Sequence, residues 1–218
     1  MQYTLRNLES LDWITLCLVS CVVIFTVAKY FYPRRFQEFV QLPITNKYFL
    51  VQGRNDEIQH PFNVLLFVTQ VILVSLFIYE ILSVLRPELG ASNKWLFIQI
   101  CTGYSVFVFI KFCIEKIIGA IFSMDRLVNS YLYEKLTYRN LLGILLFLAN
   151  ILLFYVIEPT PTLLLIITMI VLTGNGIALF YSYKTHGNII LKHFLYFILY
   201  LCALEISPYI ILYKVALT

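Results

Sequence analysis

Six long apolar runs limit what this chain can fold into more than any other feature. They lie at about 12–32, 62–85, 95–118, 141–157, 162–182 and 189–213. Crossing a bilayer's hydrocarbon core takes roughly 20 mostly apolar residues as a helix, and each run is near that length. Period-two alternation bounded by turns is missing, so a β-barrel is not expected. Composition agrees, with 61% of the 218 residues apolar, 13% charged and a mean hydropathy of +0.84. A soluble domain averages about 25% charged residues, and the same numbers exclude a disordered chain. The sequence therefore predicts an all-α polytopic membrane protein. It forms one domain over 1–218, a six-transmembrane-helix bundle with short interfacial amphipathic helices.

Runs four and five are parted only by Glu158-Pro159-Thr160-Pro161. Two prolines this close end a helix, so the segment is read as a tight hairpin. Orientation follows from the basic residues, which collect on the cytoplasmic side of membrane proteins. Twelve of the 16 Lys and Arg fall in or beside loops one, three and five. Those loops are expected inside, and both termini outside, in the periplasm. Trp13 and Trp95 then belong to the outer interface, where amphipathic rings reside. The net charge of +4 reflects this sorting and does not call for nucleic acid.

Leu18-Val19-Ser20-Cys21 matches the end of a lipoprotein signal. Glu9 and Asp12 precede it where a signal needs positive charge, and the apolar run continues past Cys21, so a permanent span is expected. All five cysteines lie in apolar runs without a CxxC and read as small core residues. Two inner segments carry helical patterns. Residues 34–42 put Phe36, Phe39 and Val40 on one face. Residues 119–136 space Ile121, Met124, Val128, Tyr131 and Lys135 at intervals near three and four. Such patterns suit helices lying in the interface, and they suit extensions of spans one and three equally well. Internal symmetry is equally open, because three hairpins and two inverted halves both fit the run order.

Ionisable and amide groups within spans are costly and are the default site candidates. Glu80 and Glu205 stand at similar depth in the outer half of runs two and six. If adjacent, they would share a proton or a cation. Pro208 beside Glu205 offers the structural reading, a kink that frees the carbonyl of Leu204. Lys111 and Glu115 are i, i+4 and are expected to pair within their helix. Asn150 and Asn175 lie near mid-span on either side of the hairpin and are expected to meet there. Gln70 and Gln99 are further candidates for interhelical hydrogen bonds. Catalytic motifs such as HExxH, GxSxG, Walker A and GxGxxG are missing. The three histidines, His60, His186 and His193, form no i, i+4 pair that would hold a haem or metal within one helix. No catalytic residue, metal or cofactor is assigned.

Four segments bear a family resemblance. They are Tyr32-Pro33-Arg34-Arg35-Phe36, His60-Pro61-Phe62-Asn63, Lys135-Leu136-Thr137-Tyr138-Arg139-Asn140, and the run from Phe194 to Pro208. Together they resemble an uncharacterised multi-pass membrane family found in Bacteroidota and named only as a domain of unknown function. The resemblance extends over 1–216. It implies the inner membrane of a Gram-negative cell and brings no activity or site residue. Arg34, Arg35, Phe36, His60, Asn63, Arg139 and Asn140 flank spans on the predicted cytoplasmic face, where they are candidates for partner or lipid contact. Ordinary helix-entry chemistry accounts for them as well, since Pro33 and Pro61 start helices and Asn caps them. The expected function is a non-catalytic inner-membrane component of a cell-envelope assembly, with the bilayer and other envelope membrane proteins as partners. The alternative is a small-solute or lipid-linked transporter or transferase using Glu80 and Glu205.

Overall fold

In the computed structural model of the chain, the described residues are 12–42, 60–86, 95–121, 125–157 and 159–190. All regular structure among them is helical: α1 (Asp12–Phe31), α2 (Pro33–Val40), α3 (Pro61–Leu85), α4 (Leu96–Ile121), α5 (Asp125–Ile151), a π-helical turn (Leu152–Val156) and α6 (Pro161–Ile190). Four stretches are long and apolar enough to cross a membrane: Asp12–Phe31, Pro61–Leu85, Leu96–Ile121 and Val128–Val156. The α6 helix adds a shorter apolar stretch, Pro161–Ile177. The sixth run of the sequence, 189–213, lies beyond the described residues except for its first two positions.

The helices alternate in direction around α3, which packs against α1, α4, α5 and α6. Rings and side chains fix this order. Trp13 at the start of α1 meets Tyr79 near the end of α3 at 5.2 Å and Phe97 at the start of α4 at 5.1 Å. Phe25 of α1 meets Phe147 of α5 at 5.9 Å, and Thr15 shares a 2.6 Å hydrogen bond with Tyr155. Helices α3 and α5 run parallel, because their contacts advance together: Phe67 with Arg139, Gln70 with Gly143, Leu73 with Asn150. Two apolar clusters stack along the bundle. One joins Ile14, Leu18, Cys21, Leu73, Leu76 and Leu146 in its middle. The other joins Ala28, Phe39, Phe62, Leu66 and Tyr133 at the basic end, where α2 folds back onto α3 and α5.

Outside these clusters the surface is apolar. Leu16 is 71% exposed, and Val106, Phe109, Ile110 and Ile117 of α4 are each more than half exposed. Water would penalise such faces heavily, whereas lipid tails do not distinguish them from the core.

Several boundaries differ from those the sequence predicts. Tyr32 leaves the helical conformation with φ −130° and ψ 58°, and Pro33 starts α2 afresh, so α2 is a separate helix and not an extension of α1. Phe39 is fully buried and Phe36 packs beside it, but Val40 is exposed. Phe39 lies about 60° to one side of Phe36 and Val40 about 40° to the other, and the side that packs inward is that of Phe39. The pattern at 119–136 is not an independent helix: α4 continues to Ile121, and Asp125 already belongs to α5. Polar residues 134–140 therefore sit inside a helix that continues into the fourth long apolar stretch. Residues 184–188, expected as a loop, continue α6 to Ile190. A single Gly187 costs a helix only about 1 kcal/mol, and no proline interrupts it.

The hairpin at the two prolines forms as expected. The π-turn closes α5, with Ile157 N–H donating to the Leu152 carbonyl at 2.8 Å. Pro161 opens α6, and Thr160 Oγ1 accepts from the Leu163 amide at 3.3 Å.

Candidate functional site

Polar side chains concentrate at the basic end, in a layer where α3 begins, α4 approaches its end and α5 passes between. His60 caps α3: its Nδ1 accepts from the Phe62 amide at 3.2 Å, and Pro61 supplies a first helical residue that needs no donor. The sequence suggested Asn as the cap, but Asn63 is buried at 2% exposure inside the first turn. Lys116 Nζ donates to Asn129 Oδ1 near the α4–α5 connection, where Gly119 lets the helices close on Val128. An added Cβ there would stand 3.0 Å from the Val128 Cβ.

The Glu115 carboxylate takes its ion pair from across the interface. Lys135 Nζ of α5 donates to Glu115 Oε1 at 2.8 Å, with the two side chains 14% and 3% exposed. The expected partner was Lys111, one turn away on α4. Helices α4 and α5 are antiparallel neighbours, so a step back along one keeps level with an equal step forward along the other. Glu115 and Lys135 are one level pair. By the same register, Lys111 and Arg139 form the next.

Between these levels lies a cavity of about 210 Å³. Lys111, Glu115, Lys135, Arg139 and Asn63 give it polar groups, and Phe67, Val108 and Phe112 are among its apolar walls. Two further lining residues, Val64 and Phe109, are 50% and 62% exposed, so the cavity opens sideways through the bundle surface. The Arg139 guanidinium lies 5.6 Å from the Phe67 ring centre. Its Nε is buried and finds no hydrogen-bond acceptor among the described residues.

The other candidates are dispersed. Arg34 is exposed, Arg35 half-buried and Phe36 packed against the α2 cluster. Asn140 is buried in mid-helix, with neither side-chain polar atom partnered among the described residues. Asn150, fully buried, donates to the Leu73 carbonyl of α3 at 3.0 Å. It does not meet Asn175. Gly174 faces Leu142 across the hairpin, which sets Asn175 about two turns, roughly 12 Å, from the level of Asn150. Gln70 Nε2 donates to the Tyr104 hydroxyl at 2.7 Å and ties α3 to α4. Glu80 is 5% exposed near the far end of α3, and no described side chain donates to its carboxylate. Glu205 lies outside the described residues, as do His193 and Lys192.

The reading of the sequence missed Phe67 and Lys135 as members of one site. The signal was present in the positions of Lys111, Glu115, Lys135 and Arg139, two pairs mirrored about residue 125. It becomes visible once α4 and α5 are known to be joined by a connector of a few residues.

No curated protein and no solved structure is significantly similar to the chain. A family model described as "Domain of unknown function (DUF4271)" matches residues 14–216, nearly the whole chain. Apart from the first two residues of α1, the helices, the mirrored charge pairs and the cavity fall within that match, and the protein belongs to this family.

Proposed function

We propose that the protein is a non-catalytic, multi-pass component of the bacterial inner membrane that scaffolds a cell-envelope assembly. Six spans with both termini in the periplasm fit the apolar runs and the twelve-to-four distribution of basic residues. The observation that carries the reading is the use of the polar side chains. His60 caps α3, Gln70 ties α3 to α4, Lys116 and Lys135 tie α4 to α5, and Asn150 ties α5 to α3. A bundle braced in this way holds a fixed shape against which other membrane proteins can pack. The test is gentle-detergent purification of a tagged chain from its native host, followed by mass spectrometry. Stoichiometric envelope membrane proteins are the expected result, with recovery reduced by Arg34→Ala on the exposed face of α2. A chain that always purifies alone overturns the reading.

A second reading, a small-solute or lipid-linked transporter or transferase, is supported by Glu80. A carboxylate buried in a membrane-spanning helix is expensive and marks a transport or proton path by default. On this reading Glu80→Gln abolishes activity without lowering membrane abundance, and Glu205→Gln does the same. Wild-type growth and envelope integrity in cells carrying both changes would remove it.

A further inference from the structure

The geometry points to the cavity between α3, α4 and α5 as a binding site for the headgroup of an anionic lipid, with Lys111 and Arg139 as its phosphate-recognising cations. The inference rests on the membrane reading above and names a ligand for the basic end of the bundle.

Charge balance is the first argument. Three cations and one carboxylate line the cavity, and that carboxylate, Glu115, is paired with Lys135 at 2.8 Å. One turn away, the antiparallel register brings Lys111 level with Arg139, so the slot is lined by more positive than negative groups. A surplus of positive groups in a largely apolar lining favours an anion there. Arg139 supplies the second argument. A guanidinium offers five donors in a fixed fork suited to phosphate oxygens. Here it stacks on Phe67 with Nε buried and unpartnered among the described residues. A phosphodiester in the slot provides acceptors within that site.

The walls select a lipid over a free anion. Val108, Phe112 and Phe67 are apolar, and the opening passes between exposed apolar residues Val64 and Phe109. A soluble phosphate would shed its hydration along that path, whereas a lipid arrives with its acyl chains already against those residues. Depth agrees. Lys111 lies about 24 Å from Trp95 along α4, and Arg139 about 27 Å from Ile157 along α5. The hydrocarbon layer is about 30 Å thick, so both cations stand near its far boundary, where headgroups lie. At about 210 Å³ the cavity takes a headgroup and excludes a drug-sized solute.

The test places the full-length protein in vesicles of mixed dioleoyl phosphatidylcholine and dioleoyl phosphatidylglycerol, extracts it in mild detergent and weighs retained lipid by native mass spectrometry. Retention of phosphatidylglycerol over phosphatidylcholine is expected, about 30-fold weaker in Lys111→Gln/Arg139→Gln, since each basic group near an anionic headgroup contributes about fivefold. Val64→Trp keeps every charge and blocks the opening; it too is expected to lose the lipid, and its exposed position spares the fold. Equal retention of both lipids, or undiminished retention in both variants, overturns the proposal. Displacement by millimolar inorganic phosphate overturns the lipid in favour of the free anion. A protein that alkaline carbonate strips from the vesicles overturns the membrane reading itself, a result separable from the others.

Discussion

Lys135→Met is expected to destabilise the protein by about 3–5 kcal/mol, the range seen when one partner of a buried ion pair is removed. The change strands the Glu115 carboxylate at 3% exposure, beside a cavity whose walls are largely apolar. Glu115→Leu is expected to cost less. The lysine left behind is 14% exposed and has a four-carbon stem that can carry its charge toward the bundle surface. The double variant Glu115→Leu/Lys135→Met buries neither charge and should recover most of the loss, because apolar replacements of buried pairs are often neutral. Thermal or denaturant unfolding in detergent, run on all four proteins, gives the coupling directly. Equal losses in the two single variants, adding in the double, would show that the pair is not coupled.

Phe39→Ala is expected to cost a comparable amount, about 3–5 kcal/mol, as for other buried Phe truncations. Phe39 is the one buried residue of the eight in α2. Its ring meets Phe62 edge-on at 6.0 Å, and the cluster around it includes Ala28, Leu66 and Tyr133. An eight-residue helix is far too short to persist alone, so α2 depends on this anchor. Loss of the ring should therefore appear as new protease cleavage within residues 33–42 as well as lower stability. Val40→Ala, on the exposed side of the same helix, is the control and should change neither.

The four stretches long and apolar enough to cross a membrane were legible because apolarity over about 17–24 residues leaves few alternatives. The start of α5 was not. An apolar run read from sequence begins at Leu141, where Lys135–Asn140 give way to leucines, yet the helix starts at Asp125. What carries it through the polar stretch is tertiary: Lys135 pairs with Glu115 and Asn129 accepts from Lys116, both partners lying on α4. The same limit explains the two misplaced polar pairings. Helical spacing reveals partners within one helix, hence Lys111 for Glu115, whereas Lys135 becomes the partner only through the α4–α5 register. Asn150 and Asn175 each lie near the middle of an apolar run. Distance from the hairpin decides whether they meet, and Asn175 lies 14 residues beyond Pro161 whereas Asn150 lies 8 before Glu158. Glu80 was recognised from its type and depth alone, and the structure adds its burial.

The π-turn at Leu152–Val156 has a mechanical consequence. It holds one residue more than an α-turn and so shifts the phase of the helix by about 100° at that point. A single-residue insertion or deletion there can be absorbed by exchange between the two kinds of turn. Between Asp125 and Asn150 the same change would swing Lys135 and Arg139 off the slot they line. The hairpin thus keeps its slack at the end remote from the charged layer, and length changes near the prolines leave the alignment of Lys111 with Arg139 intact.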